Sequence, residues 1–240
     1  MLAGWHSRGA QQATAGGLEF VGSRTFTDSG TTVTFTVPLT SLTGGISSAP
    51  RAGDLVVAFI GQASAGSNAV PMPADWTQLA RVSADDTYDS DLYVIYKTMG
   101  ATPDTGFNIT GGLDSSQNSL AVAIFVYANA VASIHTTASG INGVLCDPPS
   151  ITPTVSGSVV VSGGVGAHRL GGSASYSSSD FSLFLSASGE GIGSFGRDAT
   201  IGVGVFEWTS GAFNPGIFTF SGSSATTDSW AALSLVITPA

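Results

Sequence analysis

GDLVVAFIG (residues 53–61) and GSVVVSGGVG (157–166) are the two stretches that decide how this chain is read. Each is a short apolar run between glycines. A run of that length, rich in Val and Ile, fits a strand covered on both faces. A second pair follows, DTGFNITG (104–111) and NPGIFTFSG (214–222), and then a third, SLAVAIFVY (119–127) and SWAALSLVI (229–237). The offset is 104 residues at Gly53/Gly157 and 110 at both Gly106/Gly216 and Ser119/Ser229. A nearly constant offset with small insertions is what two copies of one strand set leave behind. The expectation is an all-β, jelly-roll-like β-sandwich whose pseudo-repeated halves cover about 18–130 and 150–240.

The neighbouring sequence agrees with that class. EFVGSRTFT (19–27) and TTVTFTV (31–37) alternate apolar and hydroxyl residues around the turn signal Asp28-Ser29-Gly30. Pro38 closes the second of them, and 40–53 reads as a Gly/Ser/Pro loop. Further strands are expected at 55–60, 76–82, 92–99, 106–110 and 120–127. In the second half they are expected at 155–161, 181–187, 200–208, 217–220 and 230–237. That is about twelve strands, enough for two packed sheets. No segment has a capped 3.6-residue period. Residues 128–149 hold the short apolar runs Val131–Ile134 and Ile141–Leu145 and do not read as a clean linker between two separate sandwiches, the competing arrangement. Residues 1–17 are small, polar and aperiodic. They read as a flexible N-terminal arm to a body spanning 18–240, with Trp5 and Arg8 as candidate anchors on a neighbouring subunit.

Composition narrows the function classes. Only 10% of residues are charged, against about a quarter in ordinary domains, and the net charge is −9. No basic stripe is present for phosphate contacts, so nucleic acid is not an expected partner. No apolar run approaches the roughly 18 residues of a membrane helix, and an acidic, lysine-poor chain is ill suited to an anionic membrane surface. The N-terminus lacks the apolar stretch of a signal peptide. Cys146 is alone, so neither an intramolecular disulfide nor a cysteine metal cluster is available. So few charges leave two options for the surface. It is coated by Ser, Thr and Gly, or it is buried in subunit contacts.

The motifs that carry chemistry are sparse. GIGSFG (191–196) matches a dinucleotide-binding glycine pattern, but a period-two strand follows it where that site needs a helix. Asp85, Asp86, Asp89 and Asp91 form the densest acidic cluster. Several carboxylates on one loop suit Ca²⁺, although the spacing is not that of an EF-hand. His6, His135 and His168 are too scattered for a zinc motif. Glu190, Glu207 and an Asp could be paired on paper as glycosidase carboxylates, with nothing to select a pair. Tyr88 and Tyr176 sit in polar, turn-like surroundings and are the candidates for stacking on a sugar ring. Asp54, after Gly53, is expected to accept turn hydrogen bonds. No catalytic constellation and no cofactor is expected.

The series AGDLVVAFIG, PADWTQL, LYVIYKTMGATPDTGFNITG, SLAVAIFVY and SWAALSLVITP resembles β-sandwich modules of tailed-bacteriophage structural proteins, over roughly residues 22–240. The resemblance implies a virion component assembled in the host bacterial cytoplasm. It would be a capsid decoration, head-spike or fibre subunit, with a tail or tail-fibre protein next. It implies no catalytic residues. It further implies a homo-oligomer, with a trimer favoured, and contacts to other virion proteins such as the major capsid protein. Loops 61–75, 83–91 and 171–180 would then face solvent and host-surface glycans. An extended arm of about 17 residues would reach some 50 Å. The alternative is a carbohydrate-binding, lectin-like module using Tyr88 or Tyr176.

Overall fold

The computed structural model describes residues 17–28, 34–64, 72–85, 89–110, 119–141, 143–168, 174–191, 197–222 and 228–240. Among them every regular element is a strand. The first half supplies β1 (Glu19–Asp28), β2 (Thr34–Pro38), β3 (Leu55–Ser64), β4 (Thr77–Ala84), β5 (Asp89–Thr98), β6 (Gly106–Thr110) and β7 (Ser119–Ala128). The second supplies β8 (Ala130–Ile141), β9 (Val159–His168), β10 (Ser175–Ser177), β11 (Leu183–Gly189), β12 (Asp198–Glu207), β13 (Thr219–Ser221) and β14 (Ser229–Pro239).

The first half forms a sheet in the order β1-β7-β3-β5-β4 and a two-stranded layer β2-β6. All these pairs are antiparallel. First strand pairs with last, second with sixth and third with fifth, a nested winding of the jelly-roll kind. The second half forms a sheet in the order β8-β14-β9-β12-β11 with a small β10-β13 pair. Leu55 lies opposite Tyr127 in one sheet, and Val159 lies opposite Ile237 in the other.

The two five-stranded sheets pack face to face, β3 against β9 and β7 against β12. Their shared core takes Leu55, Val57, Phe59, Phe125 and Tyr127 from one sheet and Val161, Val165, Ile201, Leu233 and Leu235 from the other. The alternate residues Val56, Ala58 and Ile60 face outward, where Val37, Phe107 and Ile109 of the β2-β6 layer cover them. This is why 55–60 is apolar without alternation: both faces of β3 are covered. The outer face of the second sheet is covered by Cys146, Ile151, Tyr176, Phe213 and Phe218. Burying one such side chain contributes roughly 1.5–3 kcal/mol.

Glycines bring the sheets together. A Cβ on Gly163 of β9 would lie 2.7 Å from Phe59 Cδ1, and one on Gly61 of β3 would lie 2.6 Å from Val165 Cγ2. Ring fits hole in one direction and isopropyl group fits hole in the other.

Several expectations need correcting. β3 runs on to Ser64, so part of the expected 61–75 loop is buried strand. β9 begins at Val159 and continues through the glycines to His168, because ladders on both sides hold it extended. Residues 83 and 84 close β4 and Asp89–Asp91 open β5, so both ends of the expected 83–91 loop are strand. β10 lies inside 171–180. The region read as two short apolar runs contains the twelve-residue β8. β1 and β2 do not pair with each other despite the turn signal between them; their partners are β7 and β6.

Candidate functional site

Tyr176 is not a surface aromatic. It is 3% exposed, its hydroxyl donates to the Val144 carbonyl, and the Cys146 thiol donates to it at 3.3 Å. Its ring packs on Phe218 and Phe220, so no face is open to a sugar. Burial drives both groups upward, the Cys146 thiol to about 12 and the Tyr176 phenol well above its ordinary value. Tyr88, Asp86, Trp5, Arg8 and His6 lie outside the described residues.

Three of the four residues of the acidic cluster are described. Asp85 is exposed, whereas Asp89 and Asp91 are buried within β5. The Asp91 carboxylate is taken by Arg81 at 3.1 Å and by the Ser83 hydroxyl, both from the neighbouring β4. Among the described residues no group of three His, Cys, Asp or Glu side chains is placed to hold a metal ion. Asp54 does accept a turn hydrogen bond, from the Arg51 backbone N–H at 2.7 Å. Glu190 precedes Gly191, whose N–H binds Asp198 at the start of β12, while Glu207 ends that strand. Nine residues of extended chain put the Asp198 and Glu207 carboxylates about 30 Å apart, far beyond a glycosidase pair, whereas the Glu190 charge acts on Asp198.

One polar group was not legible in the sequence. At the end of the sandwich where β9 finishes and β12 starts, His168 Nε2 lies 2.8 Å from Thr200 Oγ1, which lies 2.9 Å from Ser188 Oγ. His168 Nδ1 and Asp198 Oδ2 are 3.9 Å apart, and neither has a hydrogen-bond partner. Burial lowers the His168 pKa to about 4, so the ring is neutral, and burial raises that of Asp198. The types suggest acid, base and nucleophile. Yet His168 is 1% exposed and Thr200 is 0% exposed, with the Phe220 ring against the imidazole. A nucleophile must meet its substrate, so this group acts as a buried polar clamp between strand ends. A hint lay in the register: Asp198 opens β12 as Asp89 opens β5, each opposite the last residue of the central strand.

The surface feature that stands apart is β8. It edges its sheet, pairs only with β14, and at twelve residues is long for a strand. Its sequence AVASIHTTASGI has no Asp, Glu, Lys, Arg or Pro. Val131, Ile134 and Ile141 are exposed, and so is every residue from Ser133 to Thr137. A bulge near Leu235/Ile237 twists its first third, leaving His135–Ile141 as a regular open edge. The other edges of the two five-stranded sheets are protected. Backbone bonds from Thr43, Ile46 and Ser47 cover β1. β4 carries Arg81 and a bulge, and the residues of β11 are all at least half-buried. Long, uncharged, open edges are the places where a sheet accepts another strand.

No family model, curated protein or solved structure matches this chain.

Proposed function

We propose that this chain is a non-enzymatic structural subunit of a tailed-bacteriophage virion. A capsid decoration, head-spike or fibre subunit is favoured, with the tail as the second location. It assembles as a homo-oligomer through the β8 edge and docks on other virion proteins such as the major capsid protein. The observation that carries the reading is that edge, which lacks the charges and prolines by which monomeric sheet proteins block strand addition. A chain of net charge −9 repels its own copies over most of its surface, and β8 is a segment where two copies meet without opposed like charges. Paired with the same edge of a second copy it gives a two-fold dimer; the trimer the resemblance implies requires β8 to meet a different surface of the neighbouring copy. The burial of Tyr176 removes one of the two residues on which the sugar-binding alternative rested.

Two measurements test the reading. Light scattering on the full chain is expected to give a trimer or another closed oligomer; a monomer at high concentration overturns the assembly. Mass spectrometry of purified particles is expected to find the chain at stoichiometric copy number, and its absence from particles overturns the virion assignment.

A further inference from the structure

At the end of the sandwich opposite His168 the two sheets part around a cavity of about 590 Å³. That volume is in the range of small-molecule sites. Leu18, Phe20, Val159, Leu183 and Val205 give it apolar walls, and Trp208 lies at its rim. Tyr127 and Glu207 line it from the two sheets. Tyr127 is the penultimate residue of β7 and belongs to the inter-sheet core with Phe125 and Ala123. Glu207 ends β12, and the period of two puts it on the same face as Val205 and Val203, again toward the space between the sheets. Among the described residues Glu207 is the only charged one lining the cavity.

The Tyr127 hydroxyl is buried without a hydrogen-bond partner, its ring held against Phe20 at 5.4 Å. Such a group is destabilising unless something binds it. Burial, with the nearby Glu207 charge, pushes its pKa up, so the phenol remains protonated and presents a neutral oxygen. Glu207 is exposed and makes no ion pair among the described residues, whereas Glu19 pairs with Arg51.

We infer that this cavity binds an organic cation, a primary ammonium or guanidinium group on an apolar or aromatic stem. An ammonium has three donors and no acceptor, which suits the Glu207 carboxylate and the Tyr127 oxygen. The aromatic ring of Phe20, which lines the cavity, attracts the same charge. The apolar walls take the stem. An anion meets its own sign in Glu207 and is repelled. The site stands independently of the virion assignment, so its failure would leave that assignment untouched.

The test is calorimetric titration of the full chain with phenethylamine, and with phenylacetate as a matched anion. Phenethylamine is expected to bind at least tenfold more tightly, with an affinity that falls as salt is raised. Glu207→Gln is expected to remove most of that preference, and Tyr127→Phe to weaken the amine about threefold to tenfold. Both variants should keep the parent melting temperature to within about 2 °C, because neither empties the core. A synthetic peptide of residues 1–16, which contains Trp5 and Arg8 and no acidic residue, distinguishes the source. If it displaces phenethylamine, the cation comes from a peptide segment; if it does not, a free amine is the ligand. Absence of binding at millimolar amine, equal binding of phenylacetate, or an unchanged preference in folded Glu207→Gln overturns the inference.

Discussion

Replacing Gly163 by Ala puts one methyl group where the two sheets come closest. The new Cβ would sit 2.7 Å from Phe59 Cδ1, 2.9 Å from Val203 Cγ2 and 3.0 Å from Phe59 Cε1. Ordinary carbon contacts begin near 3.5 Å, so something must retreat by about 0.5–1 Å. Retreat is obstructed. Phe59 is fully buried and held edge-on by Phe125 at 6.5 Å, and Gly163 is fixed by ladders to β12 and β14. Overpacking of this kind costs about 1–3 kcal/mol. Against it stands the lower entropy of the unfolded chain when Gly becomes Ala, about 0.4–1 kcal/mol in the stabilising direction. Overpacking wins, leaving a net loss of about 0.5–2.5 kcal/mol. At about 2–4 °C per kcal/mol for a chain of this size, the melting temperature should fall by about 1–10 °C. Scanning calorimetry or thermal circular dichroism reads this directly. Gly100→Ala is the control, because a Cβ there meets nothing within 4 Å, and it should be neutral or slightly stabilising. Phe59→Leu in the Gly163→Ala background should recover at least about 1 kcal/mol relative to the sum of the single changes. A Gly163→Ala protein as stable as the parent, or strict additivity in the double variant, would refute the close packing of β3 on β9.

Three further outcomes follow from the same structure. The His168 pKa is lowered to about 4 by burial while the unfolded ring titrates near 6.5, so its contribution is complete above pH 6.5 and declines as pH falls toward 4. About 2 kcal/mol should be gone by pH 5, a drop of about 4–8 °C between pH 7.5 and 5; Asp198, shifted upward, acts in the opposite sense, and His168→Gln should flatten the profile. The double change Thr137→Glu with Ser139→Glu places like charges on the open part of β8 and should convert the oligomer to monomer by light scattering without altering the circular dichroism spectrum; an unchanged mass excludes β8 as the contact. Arg81→Ala leaves the buried Asp91 carboxylate with only Ser83 and should cost about 1–3 kcal/mol in denaturant titrations, whereas calcium or a chelator should move the parent's melting temperature by less than about 1 °C.

What the sequence determined by itself was the class of the fold and the place of most strands. The runs at 55–60, 106–110, 120–127 and 230–237 became strands, because apolar periodicity reports how many faces of a segment are covered. It also showed that β8 lacks charge, but not that β8 is an edge. Periodicity does not say which strand lies alongside. Tertiary packing decided that β1 joins β7 and not β2, that the Gly-rich end of β9 is extended, and that Tyr176 is core. The sites were hidden for the same reason. His168 and Asp198 lie thirty residues apart in sequence and meet because β9 and β12 are ladder neighbours. Tyr127 and Glu207 come from opposite sheets and face one mouth only because those sheets stack β7 over β12. Local residue pattern fixes which way a side chain points along its own strand; the partner strand and the opposing sheet, chosen by long-range burial, fix what it meets.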